Sequence, residues 1–112
     1  MNVQELQTLQ LQFDKQHASR KEFFVPVNST GIEELQFLMV CLAGEVGELA
    51  NLAKKVSRGD FTLEDARKNF EDEAADIFIY LLKLSSQMGF DLEEAFLAKL
   101  RSNQDRFRNS LK

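Results

Sequence analysis

The sequence predicts an all-α fold, an antiparallel four-helix bundle formed by a single domain that spans residues 1–112. Proline occurs only once, at Pro26, so long stretches of the chain are free of helix breakers. Within those stretches apolar residues recur at steps of three and four, which is the spacing of amphipathic helices rather than strands. The connections between the helices are short, and short connections make successive helices antiparallel.

Local signals predict where each helix begins and ends. Four helices are predicted, over about 3–18, 31–57, 63–88 and 92–108. Side-chain caps are predicted for the last three: Thr30 with Glu33, Thr62 with Asp65, and Asp91 with Glu94. Pro26 lies in the break at 21–31, and Gly89 is the expected residue after the third helix. Residues 61–69 are less apolar and could form a separate short helix.

Composition excludes several classes of function. With 14 Lys+Arg and 18 Asp+Glu the net charge is −4, which argues against non-specific nucleic-acid binding. One His and one Cys exclude the usual zinc sites and a di-iron bundle, which needs Glu-x-x-His on two helices. Cys41 alone permits no internal disulfide and favours a cytoplasmic location. The longest unbroken apolar run, 37–43, is far shorter than the roughly 20 residues of a membrane span, and the polar start is not that of a signal peptide.

The second and third helices each carry an apolar stripe at steps of four and three, which we expect to form their contact. The stripes are Leu42, Val46, Leu49, Ala53 and Val56 on the second helix, and Phe70, Ala74, Ile77, Leu81, Leu84 and Met88 on the third. Five polar residues each precede a stripe position by one: Glu45, Glu48, Glu73, Asp76 and Tyr80. They therefore share one edge of their stripes, and antiparallel packing makes the two acidic pairs converge across one groove.

Four converging carboxylates repel one another, and more strongly as water is excluded. The pattern makes sense if a cation lies among them, and oxygen ligands without His or Cys favour Mg²⁺ or Mn²⁺. The alternative is that the acids are the solvated flank of an ordinary bundle. Gly44 and Gly47 favour a site, because each costs about 1 kcal/mol relative to Ala inside a helix and such glycines often mark the close approach of a ligand or another backbone.

A basic stripe is predicted on the fourth helix. Lys99, Asn103 and Arg106 are spaced i, i+4 and i+7, so they share one helix face. Cations opposite a metal ion are the usual clamp on a phosphoryl group. The alternative is that Lys99 and Arg106 are solvated surface cations.

The combination of these motifs resembles a known family. The string G-E-V-G-E-L-A spans 44–50, and residues 49–72 separate its Glu48 from E-A-A-D at 73–76. The pattern K-x-x-x-N-x-x-R-F follows at 99–107. In this order the motifs resemble the short, single-domain form of the MazG-type all-α nucleoside triphosphate pyrophosphohydrolases. The resemblance covers roughly residues 35–108.

The resemblance implies a Mg²⁺-dependent enzyme that cleaves nucleoside triphosphates to the monophosphate and pyrophosphate, with a preference for deoxynucleotides and a role in cleansing the nucleotide pool. Carried over by position, the four acids would bind metal, and one glutamate would help activate water. Tyr80 would lie near the sugar and disfavour a 2′-hydroxyl, and the basic stripe would hold phosphate oxygens. The family forms dimers or tetramers whose sites are completed by a neighbouring subunit.

Some alternatives stay open. A related dUTPase or phosphoribosyl-ATP pyrophosphatase, or a non-catalytic helical interaction module, shares the same pattern. The family's F-H-x-P-x-N segment, which contacts the base, is matched only loosely by F-F-V-P-V-N at 23–28, so the preferred base is not predicted. Apolar residues off the stripes predict a symmetric homo-oligomer: Leu38, Val40, Leu52, Phe78, Ile79 and Leu82.

Overall fold

The computed structural model describes residues 1–17 and 24–108 of the chain. These residues form four α-helices: α1 (Val3–Gln16), α2 (Ile32–Ser57), α3 (Leu63–Met88) and α4 (Leu92–Arg108). The predicted all-α fold is confirmed. The expected end of the first helix at Ala18, and Phe23 of the upstream segment, lie outside the described residues.

Two of the predicted caps form and one does not. The backbone N–H of Asp65 donates to the Thr62 hydroxyl at 3.1 Å, and that of Glu94 donates to the Asp91 carboxylate at 3.1 Å. The Thr30 cap is wrong, since α2 begins after Gly31 and has no side-chain cap. The reason is local, because Asn28 Oδ1 accepts from the Thr30 hydroxyl at 2.7 Å and engages it as a donor in a turn.

The third helix is continuous, and it ends as predicted. Residues 63–69 belong to α3 and form no separate helix. Gly89 adopts a left-handed conformation with φ 81°, and its N–H donates to the Ser85 carbonyl at 2.9 Å. Sequence inspection missed one cap: Asn2 and Glu5 form a reciprocal capping box at the start of α1.

The central element of the fold is α3, which packs against α2 and α1. The apolar residues Leu38, Ala66 and Leu82 are buried. A buried ion pair links α1 to α3, with Lys83 Nζ 3.1 Å from Asp14 Oδ2. The main packing partner of α4 is α1, and α4 has no buried residue of its own.

The predicted contact line between α2 and α3 is wrong by one residue. Val46 and Met88, both on the predicted stripes, expose 48% and 46% of their surface. The buried positions of α2 are instead Glu34 and Leu38, and continuing the same alternation of steps from Leu38 leads to the acids. The carboxylates therefore lie on the contact face itself, and the apolar stripes flank it.

Among the described helices, α2 is the one that is long and apolar enough to cross a bilayer. One such helix is weak evidence, because the core helix of a water-soluble protein has the same features. Here the face of α2 that contacts α3 carries Glu34 and Glu45, which would be costly in lipid.

A single chain is more open than a compact domain of its size. Its radius of gyration is 17.3 Å, against about 13 Å expected for this length. Its accessible surface is 8252 Å², against about 6300 Å² expected for a compact monomer of this mass. Large apolar side chains on α2 and α4 account for part of the excess, since Val40 and Phe96 expose 65% and 62% of their surface.

Candidate metal centre

Three carboxylates meet between α2 and α3. Glu45, Glu73 and Asp76 each offer one oxygen, and these three oxygens lie within 4.8 Å of one another. Glu73 and Asp76 are neighbours because they are one turn apart on α3, and the packing of α2 against α3 brings Glu45 to them. All three side chains are half-buried.

The fourth acid, Glu48, lies at the edge of this cluster. It is exposed, one turn along α2 from Glu45. Its charge and hydrogen-bonding capacity nevertheless raise the pKa values of both Glu45 and Glu73. The structure therefore brings all four predicted acids into one electrostatic unit, with three at the centre and one at the rim.

The carboxylates are under electrostatic stress in the metal-free protein. Burial, which is the largest cause, and the interactions with Glu48 and Glu45 together raise the pKa of Glu73 to about 7. Burial also raises the pKa of Glu45, whereas the hydrogen bond from Glu73 opposes that rise. The two carboxyls therefore titrate together, and a proton taken up by the pair belongs to neither residue alone.

A divalent cation would relieve the same stress. One oxygen of Glu45 and one of Glu73 (Oε2 in each case) are buried without a fixed hydrogen-bond donor, and buried polar atoms are rarely left so. Carboxylate oxygens without His or Cys are the ligands of hard cations such as Mg²⁺. The residues at the site thus fit the metal that the sequence predicts.

Tyr80 continues the line of the cluster along α3. It lies one turn beyond Asp76 and is half-buried. Burial and the adjacent Cys41 thiol raise the pKa of Tyr80 to about 12, so its hydroxyl stays protonated at neutral pH. Sequence inspection missed Cys41 as a site residue. Its position four residues before Glu45 could have indicated that it lies one turn away on the same helix face.

The basic stripe of α4 is not part of the carboxylate cluster between α2 and α3. Lys99 and Arg106 are exposed and Asn103 is half-buried. These residues belong to α4, which packs mainly against α1, whereas the acids lie between α2 and α3. The Arg106 guanidinium lies over the Phe107 ring, 4.5 Å from its centroid.

The two glycines of α2 border open space in the described part of the chain. A Cβ atom added to Gly44 or Gly47 would meet nothing within 4 Å. Among the described residues, the close approach that these glycines predict therefore does not occur.

Comparison with known proteins identifies relatives of this arrangement. Residues 33–107 match the model of the MazG nucleotide pyrophosphohydrolase domain. The chain is 32% identical to dCTP pyrophosphatase 1 of Rattus norvegicus and 34% identical to that of Homo sapiens, in each case over 74 residues, or 62% of this chain and 44% of the relative. It is 36% identical over 81 residues to the Gene 37 protein of Mycobacterium phage L5, which covers 67% of this chain and 70% of that protein.

The chain thus spans less than half the length of the mammalian relatives that it matches. No solved structure matches it significantly.

The raised pKa of Glu73 predicts how the metal-free protein responds to pH. A carboxyl whose folded-state pKa of about 7 exceeds its ordinary 4.5 favours folding at low pH, and this contribution is lost as pH rises through 7. We expect the urea midpoint of chelator-treated protein to fall between pH 5 and 8, and Mg²⁺ to restore it at pH 8.

The matched variants are Glu73→Gln and Glu71→Gln. Glu73→Gln removes the titrating group and should flatten the pH dependence, whereas Glu71 is exposed on the same helix and its variant should keep the wild-type slope. The same slope in wild type and Glu73→Gln would show that Glu73 does not titrate as described.

Proposed function

The chain belongs to the family of MazG nucleotide pyrophosphohydrolase domains, and we propose that it hydrolyses nucleoside triphosphates to the monophosphate and pyrophosphate. The observation that supports this most is the group of three carboxylate oxygens within 4.8 Å. The side chains of Glu45 and Glu73 each have one buried oxygen that accepts no hydrogen bond. We take residues 1–112 as one domain, because the Asp14–Lys83 pair links α1 to α3.

The proposed cofactor is Mg²⁺, with Mn²⁺ as the alternative, held by Glu45, Glu73 and Asp76. When bound, such an ion polarises phosphoryl oxygens and offsets their negative charge. Glu48 is exposed at the edge of the cluster, so from this position it can accept a proton from the attacking water. The pKa values of Glu45 and Glu73 are raised, so their negative charges are unfavourable at this site, and a bound cation would offset them.

The proposed substrates are deoxynucleoside triphosphates, and the role is cleansing of the nucleotide pool in the cytoplasm. The mammalian relatives carry the name dCTP pyrophosphatase 1, so dCTP is the first substrate to test. A dUTPase or a phosphoribosyl-ATP pyrophosphatase remains the alternative enzyme, and a panel of nucleotides separates the three. The presence of all four acids argues against a non-catalytic module.

We further propose that the active form is a homo-oligomer, a dimer or a tetramer, in which a neighbouring subunit completes the site. The support is the surface of the single chain, which exceeds that of a compact monomer by about 1900 Å², more than the roughly 800 Å² that one partner buries in a standard interface. The α4 residues Lys99, Asn103 and Arg106 would then reach substrate phosphates bound to another subunit. Gly44 and Gly47, which border open space, leave room for a neighbouring helix.

The proposed reaction makes a specific product prediction. Hydrolysis of dCTP in water enriched in heavy oxygen should release pyrophosphate, with attack between the α- and β-phosphates. Glu48→Ala and Asp76→Ala should lower kcat/KM by more than about 100-fold, because both lie in the unit that holds the metal. The matched controls are Glu33→Ala on α2 and Glu71→Ala on α3, both exposed acids, which should keep wild-type rates. Inorganic phosphate as the first product would contradict the proposal.

Tyr80 generates a prediction about the sugar. A ring at its position leaves no partner for a 2′-hydroxyl, and a buried unpaired hydroxyl costs about 1–3 kcal/mol, so we expect a 5- to 150-fold preference for deoxynucleotides. Tyr80→Ala should narrow the ratio of kcat/KM between dCTP and CTP, whereas Tyr80→Phe should keep it. Phe61→Ala removes a ring that exposes 47% of its surface before α3 and serves as the control. Equal wild-type rates on dCTP and CTP would exclude this role.

The oligomer makes a prediction about mass in solution. Light scattering at micromolar concentration should show a multiple of the 12.9 kDa chain. Val40→Glu places a charge on an apolar residue that is 65% exposed in the single chain, so it should shift the mass toward the monomer without unfolding the helices. A wild-type mass of a single chain would refute the assembly, and with it the completion of the site in trans.

A further inference from the structure

The face of α2 that contacts α3 ends in a half-buried lysine. The alternating steps of three and four residues that begin at Leu38 continue along α2 through Cys41, Glu45, Glu48, Leu52 and Lys55. Lys55 is seven residues after Glu48, which is two turns and about 10 Å along the helix axis on the same face. The neighbouring Lys54 is exposed and is rotated by about 100° from this face.

The ammonium group of Lys55 forms no ion pair among the described residues. The nearest acid in the loop after α2 is engaged elsewhere, since Asp60 pairs with Arg58 at 2.7 Å. Lys83 of α3 differs in this respect, because Asp14 of α1 holds it at 3.1 Å. Lys55 is therefore a cation on the same face as the acids whose charge the fold does not use.

The geometry of an α-helix directs Lys55 toward the acids. Side chains on a helix lean toward its N-terminus, which for Lys55 is the direction of Glu48. The residue between them on this face is Leu52, which is uncharged and half-buried, and a lysine stem can lie along such a side chain while its ammonium group stays in water. The matching turn of α3 carries Asn69 and Phe70, so these positions place no charged group between Lys55 and the carboxylates.

The carboxylate cluster lies between Lys55 and Tyr80. Tyr80 is adjacent to Cys41, which precedes Glu45 on α2, so Tyr80 lies on the side of the cluster away from the loop at 58–62. Lys55, which follows the acids, lies on the loop side. If the sugar passes Tyr80 and the α-phosphate reaches the metal centre, the β- and γ-phosphates extend toward Lys55.

We propose that Lys55 is a substrate-binding residue that holds the β- and γ-phosphates of the nucleotide and then the departing pyrophosphate. This inference rests on the proposed function, since it takes a nucleoside triphosphate as the substrate. An ammonium group binds phosphate as a point charge, and such charge-assisted hydrogen bonds are stronger than neutral ones.

The charge near Lys55 increases during the proposed reaction. When water attacks the α-phosphorus, the bond from this phosphorus to the bridging oxygen breaks, and that oxygen leaves on pyrophosphate with the electron pair. A fixed cation at this end of the groove stabilises the developing charge. Lys55 belongs to the chain that holds the metal, whereas the α4 cations would come from a neighbouring subunit.

The test measures the binding of each product separately, by titration calorimetry in the presence of Mg²⁺. We expect Lys55→Gln to weaken the binding of inorganic pyrophosphate by about 10- to 150-fold, the range for loss of a hydrogen bond to a charged group. Binding of the deoxynucleoside monophosphate should stay unchanged, because it carries only the α-phosphate. Lys55→Arg keeps the charge and should bind pyrophosphate more tightly than Lys55→Gln.

Lys54→Gln is the matched control, because Lys54 and Lys55 both lie in the last turn of α2 and interact equally with the helix dipole. It should bind both products as the wild type does. Equal weakening for both products in Lys55→Gln, no weakening for pyrophosphate, or the same loss in Lys54→Gln overturns the inference. Failure of the proposed function is visible separately, as absence of pyrophosphate release by the wild type from any dNTP.

Discussion

The packing of α2 against α3 carries charge where most helix pairs carry only apolar side chains. Glu45, Glu73 and Asp76 occupy consecutive turns of the contact face, with their oxygens within 4.8 Å. Carboxylates so placed repel one another unless a proton or a cation lies among them, and the raised pKa of Glu73 is the direct expression of that constraint. The contact between the two longest helices, α2 and α3, thus favours the binding of a cation.

This constraint also explains where the apolar residues lie. Because acids occupy part of the contact face, the apolar stripes of α2 and α3 are displaced to its flanks, where Val46 and Met88 are about half exposed. A single chain consequently buries little apolar surface and has a large radius for its length. In the proposed oligomer, contacts between subunits would supply the hydrophobic contribution that the interior of a single chain does not.

The helix α3 organises the rest of the molecule around this face. Along one side it carries Glu73, Asp76 and Tyr80, each about one turn from the next. Toward α1 it is held by the buried Lys83–Asp14 pair, and at its end Gln87 anchors the segment before α2. Rigid packing of α3 on both neighbours keeps the side chains of the site in fixed relative positions, which is what a binding site of several polar groups requires.

The four helices, most of their caps and the pairing of acids one turn apart follow from the local sequence, because these features depend on residues three or four positions away. The failure at Thr30 shows the limit of that locality, since Asn28 competes for the same groups. Only the tertiary structure decided which line of residues on α2 faces α3. Two sets of residues on α2, one that includes Leu38 and one that includes Leu42, both repeat at alternating spacings of three and four residues. The second set is shifted by one residue from the first, which is a rotation of about 100° about the helix axis. That rotation depends on the partner helices and not on the local sequence, so the exposed stripes, the neighbour of Tyr80 and the position of Lys55 on the contact face could not be derived from the chain alone.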